Sequence, residues 1–429
     1  MFTIKRTPDT PLVVVIGGGA AGMMAAASAA EHGADVVLFE KNDRCGKKLR
    51  ITGKGRCNLT NDCDQREFLS NVPTNPRFLY ASLAGFSTED VKHFFEEAGV
   101  PLKTERGNRV FPVSDKAQDI VSAMERKCRA LGVQILHREV KEVLYENGAA
   151  VGIRTSSDVL KADAVIVCTG GLSYPTTGSN GDGYRFAKAA GHRVTELQPS
   201  LIPLVAKGKL CASMQGLALK NVALRIVDRQ SGKAVYEDFG EMLFTHFGLS
   251  GPMVLSASAH LRDIVPGKYE AQIDLKPALD EKKLDARLLS DFAKYQNKNF
   301  ANSLGDLLPQ KMIDPFISVC GIDRDKKVNS VTREERERIV RCMKCLRVEL
   351  VGVRPISEAI ITRGGVDVKE ISPKTMESKL VERLFFAGEV LDVDAYTGGF
   401  NLQIAFSTAY AAGVAAAACA PVTDAESFD

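Results

Sequence analysis

Three glycines, Gly17, Gly19 and Gly22, stand in a G-x-G-x-x-G spacing within the run VVVIGGGAAG. That spacing suits one task, the holding of a pyrophosphate. Gly17 permits a tight turn, Gly19 lets the backbone approach phosphate oxygens, and Gly22 lets a following helix pack on the preceding strand. A helix opening at Ala20 and Ala21 would aim unpaired N–H groups and a partial positive charge at the phosphates. Glu40 lies 18 residues beyond Gly22. A carboxylate there accepts hydrogen bonds from ribose hydroxyls. It also disfavours a 2′-phosphate, which argues against NADP in this pocket. Lys41, next to it, joins the candidate cofactor residues.

The elements that must position these residues are legible on both sides. Leu12–Ile16 is an apolar run bounded by glycines, as expected of a buried parallel strand. Residues 20–31 read as an Ala-rich helix closed by Gly33, and 35–40 as a second strand. Residues 41–62 lack periodicity and read as an ordered functional loop. Helices are expected over 88–97 and 115–131, the second capped by Ser114. Strands are expected at 134–136, 139–145, 149–155 and 159–161, with Asn147-Gly148 as a hairpin turn. Another apolar strand, 164–168, runs into Thr169-Gly170-Gly171, and a helix follows at 182–190. Short β-like runs such as 222–228 and 268–275 fill the stretch from about 200 to 277. Residues 278–350 read as helical and charged, and strand, loop, strand and helix return after Pro355. These patterns predict an α/β protein: a Rossmann-type dinucleotide domain of residues 1–194 and 355–429, interrupted by a β-rich insert (195–277) and a helical segment (278–354).

Two features favour FAD over NAD. A β-meander over 139–161, opening near Val140, precedes the strand that ends in Thr169-Gly170. The apolar LFFAGE run then ends in Gly388-Glu389, and a Gly-rich helix start follows at Gly399. Such an acid can reach a ribityl chain. The helix N-terminus, with the N–H groups of Asn401 and Leu402, can face the pyrimidine side of the ring and stabilise negative charge on reduced flavin. There is no second G-x-G-x-x-G, so NADH or NADPH, if it is the donor, would bind transiently.

The run Lys48-Leu49-Arg50-Ile51-Thr52-Gly53-Lys54-Gly55-Arg56-Cys57-Asn58-Leu59-Thr60-Asn61 resembles the signature of the BaiN/aminoacetone-oxidase-like family of NAD(P)/FAD-dependent oxidoreductases, in the glutathione-reductase-like flavoprotein superfamily. Arg109-Val110-Phe111-Pro112, GEMLFTHFGLSGP (240–252), Gly364-Gly365-Val366, FAGEVLD (386–392) and TGGFNLQ (397–403) extend the likeness over nearly the whole chain. The resemblance implies an FAD domain interrupted by a β-barrel-like insert and a small helical segment. Arg363 departs from it, standing where a smaller residue is expected. On physical grounds Gly53 and Gly55 would let amides approach the cofactor. Arg56 and Asn58 would supply donors to phosphate or flavin edge. Cys57 stands close enough in sequence to touch the flavin.

Composition bounds the rest. The chain has 429 residues, 45% hydrophobic and 25% charged, as ordinary globular enzymes do. Its net charge of +3 supplies no broad field for nucleic acid or anionic membrane, so a small-molecule substrate is expected. The apolar N-terminal run is too short for a signal peptide, and no stretch approaches the roughly 18 residues of a membrane span. Ten scattered cysteines suggest reduced thiols in a cytoplasmic protein. Cys342-x-x-Cys345 lacks a second pair or nearby histidines and reads as structural. Cys45 and Cys57 are spaced too widely for the usual redox pair. No metal site is expected. His246 reads either as a buried, hydrogen-bonded histidine or as a substrate-side acid or base. Tyr396 and Tyr174 read either as aromatic packing or as flavin-facing, and Arg363 as a fixed charge beside the substrate.

The leading expectation is FAD-dependent hydride transfer between a reduced donor, NAD(P)H, and an organic acceptor such as a conjugated enone. The alternatives are an amine oxidase that returns electrons to O₂, and a non-catalytic flavoprotein in RNA or ribosome-linked binding. The near-zero charge argues against the last.

Overall fold

A computed structural model describes residues 4, 6, 7 and 9–421; residues 1–3, 5 and 8 of the N-terminal lead, and 422–429, lie outside the described residues. The chain divides into two compact units, one made of the residues up to Ser200 and those from Ile356 onward, the other Leu201–Pro355.

The first unit is built on a five-stranded sheet in the order Leu384–Phe386, Ala164–Val167, Leu12–Ile16, Asp35–Phe39, Gln134–Leu136. All four pairings are parallel. Leu12–Ile16 has a strand on each side and all five residues buried. A strand covered on both faces has no polar side to show, which explains its unbroken apolar run. The chain leaves it toward Asp35–Phe39 on one side and later returns as Ala164–Val167 on the other. That reversal places a crevice at the C-terminal end of Leu12–Ile16, where such sheets take their ligands.

Two Ala-rich helices, Ala20–Glu31 and Phe400–Ala417, pack against each other. They approach closely because Gly413 has no side chain; a Cβ there would lie 2.5 Å from the Ala25 carbonyl oxygen. The meander Val140–Glu146, Ala149–Thr155, Val159–Lys161 forms an antiparallel sheet of its own. Its first turn has Asn147 at φ +48° and Gly148 at φ +82°, the two positive φ values of a type I′ hairpin.

Two local expectations are corrected. The 41–62 segment, expected as an ordered loop, contains regular elements. It holds the helix Lys47–Ile51, the 3₁₀ turn Thr52–Gly55 and the strand Thr60–Asn61, which pairs with Arg109–Pro112. Ser114 does not cap the following helix, Ala117–Ala130, which starts after Lys116 with no side-chain cap. Capping boxes stand instead at Ser87 and Asp90, before Thr88–Glu97, and at Thr332 and Glu335, before Arg333–Lys344.

The second unit is a closed six-stranded barrel in the order Leu204–Ala206, Gly248–Ser250, Ala234–Phe244, Ala218–Asp228, Tyr269–Asp274, Leu346–Val353. The helices Glu281–Lys294, Gln310–Cys320 and Arg333–Lys344 are inserted between its last two strands in sequence. The helical texture expected through residue 350 therefore ends earlier. Leu346–Val353 is a strand that closes the barrel by pairing with both Tyr269–Asp274 and Leu204–Ala206. Among the described residues no helix is long and apolar enough to cross a membrane.

Candidate dinucleotide site

The glycine turn separates structural from ligand-directed glycines. Gly17 lies at φ +103° and donates to the Phe39 carbonyl at 2.7 Å. A Cβ on Gly22 would sit 1.7 Å from the Gly17 carbonyl oxygen, so the helix rides directly on the turn. Gly19 is different. Its φ of −81° suits any residue, and no heavy atom lies within 4 Å of where its Cβ would be. Nothing inside the protein requires glycine there, whereas a phosphate approaching the backbone does. Gly19 is also the N-cap of the helix that Ala20 and Ala21 open, and no side chain caps it.

Glu40 is buried at the end of its strand. It accepts from the Gly18 N–H at 2.8 Å and from the Asn42 N–H and Nδ2 at 2.8 and 2.6 Å. The carboxylate is thus fixed against the glycine turn with one lone pair, on Oε2, left over for a hydroxyl donor. Lys41 is committed elsewhere: its Nζ donates to Asn180 Oδ1 at 2.7 Å and pairs with Asp182 at 2.8 Å.

A second cluster forms around Glu389. Gly388, at φ +78°, sets this turn against the first helix; its Cβ would lie 2.8 Å from the Ala21 Cβ. Glu389 Oε1 accepts from Ser173 Oγ at 2.9 Å and from the Thr362 N–H at 3.0 Å. Lys48 Nζ pairs with Glu389 Oε2 and donates to Ser173 Oγ at 2.6 Å. Thr362 Oγ1 in turn accepts from the Leu172 and Ser173 N–H groups at 2.8 and 3.2 Å. Ser173 and Thr362 were not singled out from sequence, because neither belongs to a spacing with chemical meaning. The only signal was their position beside the Thr169-Gly170-Gly171 and Gly364-Gly365-Val366 runs.

The third part is the 52–61 segment. Thr52 Oγ1 donates to the Leu49 carbonyl at 2.7 Å, closing the preceding helix. Gly53, Lys54, Gly55 and Cys57 all adopt positive φ. Two of the four carry side chains, and such strain concentrates at functional sites. Asn58 Oδ1 is buried without a hydrogen-bond partner, and so is Thr169 Oγ1 next to Gly170, at φ +72°. Unpaired buried oxygens are costly, so each is a place where a bound molecule would supply the missing donor. The segment also meets the last helix. Thr60 Oγ1 donates to Gln403 Oε1 at 2.6 Å, and Asn61 Nδ2 to the Gly398 carbonyl at 3.0 Å. Gly399, the N-cap of that helix, would put a Cβ 2.2 Å from the Thr60 carbonyl oxygen. The side chain of Asn401 accepts from the Ala395 N–H and donates to the Ala395 and Tyr396 carbonyls, fixing the loop before the helix. Leu402 sits half-buried in the first turn and Val140 is buried at the start of the meander.

Arg56 is held within the protein. Its guanidinium pairs with Glu105 and Asp115 and lies 4.2 Å above the Phe111 ring. Cys57 and Cys45 are buried, and burial pushes both thiols up to about 12. None of the ten cysteines is in a disulfide. No group of three or more His, Cys, Asp or Glu among the described residues could hold a metal ion.

The candidates for chemistry fall in both units. Arg363 is buried, ends the strand Ile361–Arg363, and donates to Gln198 Oε1 on the paired strand Gln198–Ser200. Tyr396 is half-buried, and burial, aided by Asp394, raises its phenol. Tyr174 is also half-buried, at φ +51°, with its phenol raised by burial. His246 belongs to the barrel unit and is exposed at a hairpin tip, its ring edge-on to Phe247 at 4.9 Å. The reading of His246 as a buried histidine is therefore corrected: the Thr245–Gly248 hydrogen bonds close so tight a turn that its tip faces solvent.

The family HI0933-like protein Rossmann domain matches residues 11–415. This chain belongs to that FAD-binding oxidoreductase family. It is 30% identical over 386 residues to the 3-dehydro-bile acid delta(4,6)-reductase of Clostridium scindens, covering 90% of this chain and 93% of the relative. It is 31% identical over 393 residues to the ribosomal RNA dihydrouridine synthase of Escherichia coli, covering 89% and 92%. Among solved structures, 3-ketosteroid delta1-dehydrogenase from Sterolibacterium denitrificans has a TM-score of 0.51 at 12% identity, covering 96% of this chain and 100% of that one, a likeness of fold. FAD is the cofactor for which the cradle is built. The Gly19 turn and helix N-terminus would take its pyrophosphate, Glu40 a ribose, and the Asn58 and Thr169 oxygens its remaining donors.

Proposed function

We propose that this chain reduces a carbon–carbon double bond conjugated to a carbonyl in a small molecule, with NAD(P)H as the electron source. The observation that carries this reading is the chemistry shared by the two relatives' names. A 3-keto substrate with unsaturation at positions 4 and 6 is a conjugated dienone. Dihydrouridine is uridine saturated at the bond conjugated to its C4 carbonyl. Both names describe addition of hydrogen to the same kind of bond.

FAD, when bound and reduced, would supply the hydride chemistry that such an addition needs. The chain's own residues are then assigned as follows. Glu40 and the Gly19 turn hold the nucleotide end. Lys48 and Glu389 fix the segment at the ribityl side. Arg363, a permanent cation, stabilises the negative charge that develops on the carbonyl oxygen. Tyr396 returns the proton to the α-carbon; its raised phenol keeps the proton available at neutral pH.

The free enone is favoured over a base within RNA because a net charge of +3 on 429 residues supplies little of the phosphate attraction that RNA binding needs. Anaerobic stopped-flow tests the proposal. The enzyme is reduced with NADH or NADPH and mixed with a 3-oxo-4-ene steroid, with uridine-containing RNA, or with air. Rapid reoxidation by the enone supports the reading. Reoxidation by RNA alone or by dioxygen alone overturns it.

A further inference from the structure

The last helix, Phe400–Ala417, is alanine-rich and packs on the alanine-rich helix Ala20–Glu31. Small side chains make shallow ridges, so apolar packing alone sets the register of such a pair weakly. Three polar side chains nevertheless lie in the core beside this helix. Thr60, Gln403 and Ser407 are each 0% exposed.

The three form one hydrogen-bonded chain. Thr60 Oγ1 donates to Gln403 Oε1 at 2.6 Å. Gln403 Nε2 donates to Ser407 Oγ at 2.9 Å and to the Phe86 carbonyl at 3.2 Å. Ser407 Oγ donates to the same carbonyl at 2.7 Å. Every direction follows from the donor inventory. A carbonyl only accepts, so the Ser407 hydroxyl spends its proton on Phe86 and must accept from the amide. The amide thereby turns its oxygen to Thr60, whose hydroxyl must donate. Both ends of the chain are anchored. Thr60 opens the strand Thr60–Asn61, and a Cβ on Gly399 would lie 2.2 Å from its carbonyl oxygen. Phe86 follows the helix Tyr80–Gly85, and its ring stacks on Tyr410, one turn past Ser407, at 4.5 Å.

We propose that Gln403, acting with Thr60 and Ser407, is a positioning residue for the flavin. The chain locks the register of the last helix against the 52–61 segment and so fixes where its uncapped first-turn N–H groups lie. Those groups carry the partial positive charge that favours the anionic, reduced form of the cofactor. Stability alone does not call for such a chain. Apolar groups of the same shape can replace a satisfied buried hydrogen bond at little cost, whereas buried polar groups can select one register among several. This role depends on the FAD site alone and not on the proposed acceptor.

The test uses the full-length holoprotein and no substrate. Two quantities are read: retention of oxidised FAD on dilution, followed by flavin fluorescence, and the two-electron midpoint potential of the bound flavin, taken against reference dyes. Gln403→Met and Thr60→Val nearly keep side-chain volume and remove the hydrogen bonds. Both are expected to hold oxidised FAD within about twofold of wild type and reduced FAD about tenfold more weakly, which lowers the potential by about 30 mV. Thr60→Ser keeps the donor and should restore the wild-type potential. Ser407→Ala, which strands only one amide proton, should shift it in the same direction and decides the matter if Gln403→Met fails to fold. A wild-type potential in these variants would overturn the proposal. So would an equal loss of oxidised and reduced FAD, which marks ordinary packing damage.

Discussion

Lys48 and Glu389 stand 341 positions apart in the chain and form an ion pair that Ser173 bridges. The pair ties the 48–61 signature to the turn after Leu384–Phe386, two segments that each read alone as a glycine-rich loop. Both side chains are mostly buried, at 23% and 14% exposure, so each needs the other. Lys48→Met or Glu389→Gln alone is expected to cost about 1–2 kcal/mol, reduced from the fully buried case by solvent screening. The double variant should lose less than the sum, with a coupling of about 0.5–1 kcal/mol. Urea denaturation of the four proteins measures this, and strict additivity would show that the pair does not act as a unit.

Gly19 and Gly22 should fail in opposite ways. Gly22→Ala places a methyl 1.7 Å from the Gly17 carbonyl oxygen, so the variant should misfold or lose several kcal/mol. The Cβ of Gly19→Val would have no protein heavy atom within 4 Å, and the variant should keep its far-UV circular dichroism. It should bind FAD at least about tenfold more weakly, a loss of about 1.4 kcal/mol. The visible absorbance of the purified variants, scaled to protein, reads the difference. A yellow Gly19→Val protein with wild-type flavin content would remove this residue from the cofactor site.

The contrast between those glycines shows how far sequence carried. The strand, turn and first helix were legible because a buried parallel strand is apolar throughout and the glycine spacing has one physical use. The meander was legible from Asn147-Gly148 and its alternating flanks. The last barrel strand was not. LRVELVGV alternates as a strand should, but it follows a charged helix with a strong helical period, and its partners are distant in the chain. Ser173 and Thr362 escaped for a related reason: a serine and a threonine acquire meaning only when a buried carboxylate is brought to them. The exposure of His246 was not legible because a Phe- and Gly-rich neighbourhood suggests a core, whereas a hairpin tip turns its side chain outward.

His192 gives the first unit a pH dependence. Its side chain is fully buried, with Nε2 2.7 Å from Ser378 Oγ and Nδ1 3.0 Å from Glu370. Burial lowers its pKa below the ordinary 6.5, and Glu370 offsets this only in part. The unfolded chain therefore binds the proton more readily. Stability is full above about pH 6.5 and falls as pH drops toward the lowered value, with a slope of at most about 1.4 kcal/mol per pH unit. Urea midpoints between pH 7.5 and 5 should show this decline, and His192→Asn should flatten it over that window. An unchanged slope in the variant would assign the acid sensitivity to other groups.

Arg363 is the residue on which the proposed chemistry can be tested most directly. It is 9% exposed, and a buried guanidinium must be paired or must serve a purpose. Arg363 is a permanent cation, and it donates to Gln198 Oε1 on the paired strand. That charge would lower the barrier to hydride addition by stabilising the oxygen that becomes an enolate. Arg363→Lys keeps a charge but loses the planar fork, and Arg363→Ala loses both. The expected order of enone-driven flavin reoxidation is wild type, then lysine, then alanine, with the alanine variant slower by about two orders of magnitude, or about 2.7 kcal/mol. FAD content and reduction by NAD(P)H should stay near wild type in both, because neither step develops charge on the acceptor. A proportional loss in all three measurements would mean that Arg363 supports the Gln198–Ser200 and Ile361–Arg363 pairing and not the reaction. Reoxidation at the wild-type rate in the alanine variant would place the stabilising charge on another residue.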